Sequence, residues 1–353
     1  MSSMGGGAGP EREKAQAGGE GALFYHGGAL AAARARFPGA PQPWIDLSTG
    51  VNPVAYPVGD IDAAAWTRLP EAGEIAALEA DAARAYGARS ADAVVAAPGT
   101  QAAIQLLPGL LQARRVGVLG FAYAEHARCF ARAGAETAPI EDLAQAKDFD
   151  VVVVVNPNNP DGRHVPPAAL LEAAAAMRAR GGTLVVDEAF ADLMGPAATI
   201  APAAPEAGAL VLRSFGKTYG LAGLRLGFVI APPALAGRIR AAFGPWAVSG
   251  PAVRIGRRAF SDPAWLAGTA RRLDDDGRRL DALLERIGLR VVGGTALFRL
   301  AERPRAAELF AEMGRRGILV RPFAEKPTWL RWGLPGPDAW DLLAKRLAAP
   351  LGA

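Results

Sequence analysis

Along the middle of the chain, short continuous apolar runs alternate with segments of helical spacing. The runs at 93–96, 116–119, 151–155, 184–186, 210–212 and 226–230 show little polar alternation, and several are β-branched. That is the pattern of strands buried on both faces of a sheet. Between them, 75–86 carries apolar residues at helical spacing, 100–112 follows the turn Pro98-Gly99, and 170–180 reads as another helix. The alternation predicts βαβ units, hence an α/β fold with a large domain built on a mostly parallel mixed sheet. After about residue 235 the pattern changes. A long helical region over 234–287, broken near Pro245, Pro251 and Pro263, leads to strands at 289–292 and 296–300. A helix at 306–316, a strand at 318–320 and a last helix at 338–347 follow. The expected division is a large domain over 46–235 and a small α+β domain over 236–353. A segment over 21–45, with an Ala-rich helix at 29–36, is expected to pack on the small domain. Residues 1–20 are Gly-rich and polar, and are expected to form a disordered tail.

Composition narrows the partners. Net charge is +4, from 39 basic and 35 acidic residues without a long single-sign block, so no nucleic-acid partner is expected. No apolar run reaches about 18 residues, so no membrane partner is expected either. The N-terminus has no signal-peptide core, and Cys129 is the only cysteine. An intramolecular disulfide is therefore impossible, and a cytoplasmic location is expected. His126 and His164 have no partners at ligand spacing, so no metal site is expected. Cys129 reads as core. Only five of the 39 basic residues are lysines, so a lysine retained at a chemically demanding position stands out.

Lys217 is such a residue. It lies in Ser214-Phe215-Gly216-Lys217-Thr218-Tyr219-Gly220-Leu221-Ala222-Gly223-Leu224-Arg225, between two predicted strands, where open α/β sheets place their ligands. Gly216-Lys217-Thr218 is not the end of a P-loop, because position 211 is Val where that loop needs Gly. Ser214 and Lys217 match the S-x-x-K of penicillin-recognising enzymes, but the companion K-T-G is missing. A Schiff base between Lys217 and pyridoxal 5′-phosphate makes demands that the rest of the chain meets. Asp187 ends a predicted buried strand, where it can face the pyridine nitrogen. Pro98-Gly99-Thr100-Gln101 opens a helix, whose free N–H groups suit a phosphate. Ser214 and Arg225 would add a hydroxyl and a guanidinium. Asn156-Pro157-Asn158-Asn159-Pro160-Asp161-Gly162 offers an asparagine to the phenolic oxygen, and is also good turn chemistry in its own right.

Together GTQ, NPNNPDG, DEAF and SFGKTYGLAGLRLGF resemble the fold-type I, aspartate aminotransferase-like family of pyridoxal phosphate enzymes, over essentially the whole chain beyond the tail. The resemblance implies that family's fold and a homodimer with active sites at the interface. It implies Lys217 as the Schiff-base lysine, Asp187 on the pyridine nitrogen and Asn159 near O3′. It also implies Gly99, Thr100, Ser214 and Arg225 around the phosphate and Tyr123 stacked on the ring. Within the family, Tyr25-His26-Gly27-Gly28 and Trp44 to Pro53 are similar to a branch acting on phosphorylated amino acids and amines. Gly317 to Arg321 and Leu330 to Pro335 resemble segments carrying substrate-anion arginines. The substrate residues implied are His26, Asn52, Arg321 and Arg331. The reaction implied is decarboxylation of a phosphorylated amino acid, with amino transfer as the alternative. Three positions depart from the family pattern. Leu69 stands where a tyrosine usually reaches the partner's phosphate, Ala29 where the branch often has Asn, and Phe190 where aminotransferases place a tyrosine.

Overall fold

The computed structural model describes residues 26–348. The tail expected at 1–20 lies outside them. Chain contacts divide the molecule into two units. One holds Val51–Asp276 with Gly293–Leu297. The other holds the described residues up to Gly50, then Gly277–Val292 and the described residues from Phe298 on.

In the first unit seven strands form one sheet. In chain order, after the short β1 (Ile45–Asp46), they are β2 (Val94–Ala97), β3 (Arg115–Leu119), β4 (Glu136–Ile140), β5 (Val151–Val155), β6 (Thr183–Asp187), β7 (Leu210–Ser214) and β8 (Gly227–Ile230). The spatial order is β2-β8-β7-β6-β5-β3-β4. β4, β3, β5, β6 and β7 pair parallel, while β8 runs antiparallel to both β7 and β2. The run of five valines in β5 explains why the core lies on both faces. Val152 and Val154 belong to one cluster with Leu184, Val186 and Phe228. Val151 and Val153 belong to another, with Val185 and Leu212. Fully burying each such side chain stabilises by roughly 1.5–3 kcal/mol.

Residues 236–276 join this unit rather than the C-terminal one, contrary to the boundary expected at 235. Helix Gly250–Phe260 is the reason. Gly256 lets it lie against Leu78, and Arg257 Nε bonds Asp81 Oδ2 at 2.8 Å on helix Ala72–Tyr86. The prolines expected to interrupt 234–287 do so, leaving helices Pro233–Phe243, Gly250–Phe260 and Pro263–Arg286. β4 carries no strong hydrophobic signal because it is an edge strand, half-exposed and containing Pro139.

The second unit contains helix Leu30–Arg36 and the parallel pair β1 and β11 (Ile318–Leu319). It also has β10 (Phe298–Glu302), β12 (Arg321–Pro322), β13 (Trp329–Gly333) and the start of β9 (Arg290–Thr295), in a four-stranded sheet of order β12-β13-β10-β9. Helices Ala306–Arg315 and Trp340–Ala348 complete it.

Candidate active site

Six strands of the main sheet share one direction and end at the same edge, and β8, which opposes them, begins there. The expected cofactor residues fall along that edge. Gly99 and Thr100 follow β2, Tyr123 follows β3 and Asn159 follows β5. Asp187 is the last residue of β6 and Ser214 the last of β7; Lys217 lies three residues on, and Arg225 two residues before β8. Carboxyl ends of strands are where such sheets bind ligands.

At one end of this edge like signs meet. Gly99 caps helix Thr100–Leu111 at φ +80°, without a side-chain cap. A Cβ there would fall 2.6 Å from Arg225 Nη2, so a guanidinium stands directly at the helix N-terminus. Arg225 itself adopts the left-handed conformation, φ +55°. A cation beside the positive end of a helix is repulsive unless an anion lies between them. Ser214, at the start of the one-turn helix Phe215–Thr218, does not use its hydroxyl as a cap.

Asp187 is buried at 4% exposure. Its Oδ2 lies 2.9 Å from Nε2 of the fully buried His126, and Ala189 N–H donates to its Oδ1 at 3.1 Å. Tyr123 meets the His126 imidazole edge-on, at 84° and 6.1 Å. Its phenol donates to Gln101 Oε1 at 3.1 Å, and Gln101 Nε2 donates to Glu125 Oε2 at 3.2 Å. His126 and Gln101 were not singled out as site residues from sequence. His126 was weighed only as a metal ligand, and its partner is 61 positions away in the chain. The loop bearing Asn159 is braced by its neighbours: Asn158 Nδ2 donates to Phe121 O at 2.9 Å, and Asn156 Nδ2 to Val165 O at 3.1 Å. Lys217 Nζ lies 5.8 Å from the ring centre of Phe190. Tyr219, two residues on, is stacked between Phe215 and Trp265, and burial pushes its phenol well above the ordinary tyrosine range.

Beneath Asp187 and Ser214 sits a second charged cluster. Arg213 Nη1 donates to Glu188 Oε2 at 2.7 Å, and Arg213 also pairs with Asp192 and covers the Tyr86 ring at 4.4 Å. The carboxylates raise the Arg213 pKa further despite its burial.

Asn52, expected at the substrate, bonds within the fold. Its Nδ2 donates to Thr218 O at 2.8 Å, while its Oδ1 accepts from Val54 N at 3.0 Å and Arg272 Nη2 at 2.7 Å. In the other unit, Arg321 and Arg331 face each other in register across β12 and β13. Residues directly opposite in an antiparallel pair share a face, and two like charges so placed repel unless an anion joins them. Arg331 donates to Ser48 O at 2.8 Å and lies over the Phe298 ring; Arg321 lies over Phe323. Ser48 also receives Gly28 N–H at 2.7 Å, which ties the His26-Gly27-Gly28 segment to the strand of Arg331.

A family model for aminotransferase class I and II matches residues 59–343, and the chain belongs to that family. Pyridoxal 5′-phosphate is the cofactor of the class. The facing guanidinium and helix N-terminus, the buried Asp187 and the amine of Lys217 fit that group's phosphate, pyridine nitrogen and aldehyde. A threonine-phosphate decarboxylase of Sinorhizobium is 43% identical over 322 residues, 90% of this chain and 95% of the relative. One of Pseudomonas aeruginosa is 43% identical over 320 residues, with the same coverages. Among solved structures, histidinol-phosphate aminotransferase of Sinorhizobium meliloti in complex with pyridoxal-5′-phosphate shares the fold. Its TM-score is 0.75 at 21% identity, covering 90% of this chain and 93% of that one.

Proposed function

We propose that the protein decarboxylates L-threonine O-3-phosphate to (R)-1-amino-2-propanol phosphate and CO2, a step of cobalamin assembly. The observation that carries this is the 43% identity to two threonine-phosphate decarboxylases along nearly their whole length. Arg225, Ser214 and the N–H groups at Gly99 and Thr100 hold the cofactor phosphate. Asp187, oriented by His126, would pair with its ring nitrogen, Tyr123 would serve its ring and Asn159 its O3′. When bound, pyridoxal phosphate supplies an electron sink for the bond broken at Cα.

The residues then decide which bond that is. Arg321 and Arg331, paired across β12 and β13, form the anion clamp for the substrate, and His26 belongs to the same unit. A clamp that takes the substrate phosphate would leave the carboxylate as the group released from Cα, and a clamp that takes the carboxylate would retain it. Lys217 Nζ gives a proton to Cα in place of the departing CO2, which balances the reaction without a keto acid. Asn52, also expected at the substrate, has its amide bonded to Thr218 O and to Arg272 within the fold.

The reading includes a homodimer in the cytoplasm. Trp66, Leu69, Val58 and Trp246 are exposed apolar side chains on segments whose backbones meet at Ala65 and Gly250. Large apolar side chains left exposed on adjoining segments support a second copy as their cover. Among the described residues, no helix is long and apolar enough to cross a membrane. The reaction is tested by supplying cofactor-loaded protein with threonine phosphate and no acceptor. CO2 release is expected; amino transfer from histidinol phosphate to 2-oxoglutarate, with no CO2 from threonine phosphate, would move the protein to the aminotransferases.

A further inference from the structure

The one-turn helix Phe215–Thr218 is too short to satisfy its own carbonyls, because the last four C=O groups of a helix have no partner within it. The segment 52–56 supplies partners. Asn52 N–H donates to Lys217 O at 3.0 Å, Asn52 Nδ2 to Thr218 O at 2.8 Å and Tyr56 N–H to Tyr219 O at 2.8 Å. The two segments pack so closely that a Cβ at Gly220 would fall 2.7 Å from Asn52 O. The carbonyls of three consecutive residues, beginning with the reactive lysine, are therefore held by one short stretch of chain.

That hold depends on which way the Asn52 amide is turned. With Nδ2 on Thr218 O, its Oδ1 faces Val54 N–H and the Arg272 guanidinium. The flipped amide would set an NH2 group against both donors and a carbonyl oxygen against Thr218 O, losing three hydrogen bonds at a residue only 2% exposed. Arg272 Nη1 is itself fixed by Asp276 Oδ2 at 3.0 Å, one turn on in helix Pro263–Arg286. Hydrogen bonds to a charged donor contribute more than neutral ones, so Arg272 is the strongest determinant of this orientation.

We propose that Arg272 is a positioning residue for Lys217, acting through the side-chain amide of Asn52. The inference rests on Lys217 being the cofactor lysine of the proposed function, and not on which bond of the substrate is broken. Displacing a reacting group by about 1 Å can cost on the order of 100-fold in rate. Losing one of several braces is accordingly expected to lower kcat about tenfold, with KM changed less than twofold.

The test uses holoenzyme carrying Arg272→Met, Asn52→Ala or both, with Arg272→Lys as the conservative variant. The first readout is the pH dependence of the bound cofactor's visible absorption without substrate. Arg272→Met should shift its midpoint by half a unit or more, and Arg272→Lys should recover part of the shift. The second is kcat against KM, on whichever substrate the enzyme turns over. The double variant should equal Asn52→Ala alone, because both changes break one pathway. An unchanged midpoint and kcat in Arg272→Met, or additive effects in the double variant, would overturn the proposal. Because the absorption titration needs no substrate, it reads the brace even if decarboxylation is not the reaction.

Discussion

The Arg213 cluster offers a test of how the site edge is supported. Arg213 precedes Ser214 at the end of β7, and Glu188 follows Asp187 at the end of β6, so their bond joins the two strand ends. The side chains of Arg213, Glu188 and Asp192 are 5%, 0% and 5% exposed. Replacing Arg213 with Met keeps the volume approximately but strands two buried carboxylates. Removing one member of a buried ion pair typically costs about 3–5 kcal/mol, against about 1 kcal/mol or less for a surface pair. Glu188 retains bonds from Thr199 Oγ1 and from Ile200 N–H at 2.9 Å, which places the expected loss near 3 kcal/mol. Equilibrium denaturation followed by fluorescence and circular dichroism should show it as a lower midpoint with an unchanged slope. Neutralising the carboxylates as well, with Glu188→Gln and Asp192→Asn, should recover most of the loss, because no unpaired charge remains. A loss below 1 kcal/mol in Arg213→Met would refute the claim that this pair holds the two strand ends together.

Other perturbations probe the site and its surroundings. Lys217→Ala should abolish the pH-sensitive visible absorption of bound cofactor; a spectrum that survives unchanged would remove Lys217 from its role. Arg225→Ala should weaken cofactor retention about 10–100-fold in a dialysis assay, the loss expected for a charged hydrogen bond of roughly 1.5–3 kcal/mol, and equal retention would place the phosphate elsewhere. Asp150 accepts N–H bonds from Arg114 and Arg115 at 2.8 and 3.0 Å, and the Arg115 bond first, then that of Arg114, holds its carboxyl below the ordinary aspartate range. Its contribution is therefore present above the ordinary value and lost as pH falls through the lowered one. Asp150→Asn should be slightly less stable than the parent at pH 7 and indistinguishable at about pH 2; a difference that persists in acid would contradict this.

That the candidate residues share one sheet edge was legible because its parts are local in sequence. A turn that opens a helix, an acid that ends an apolar run and a lysine in a Gly-rich loop each carry their chemistry within a few residues. What escaped notice depends on long-range pairing. His126 acquires its partner only when β3 and β6 are brought into one sheet, and the facing of Arg321 with Arg331 is a matter of strand register. The antiparallel sense of β8 leaves no mark on its composition, yet it is what returns Arg225 to the edge where Gly99 lies. The bonds of Asn52 are hidden from the sequence for a related reason. An asparagine in a loop looks available until the fold shows that its amide is already engaged at both ends.

The central claim is that the bond to the carboxylate, and not the Cα–H bond, is the one that breaks. The most direct measurement is turnover of threonine phosphate in D2O, with the product and the recovered substrate examined by NMR and mass spectrometry. The account predicts aminopropanol phosphate bearing one solvent deuterium beside the original Cα hydrogen, CO2 in equal amount, and recovered substrate without deuterium. Deuterium at Cα of recovered threonine phosphate, with no CO2 formed, would contradict it.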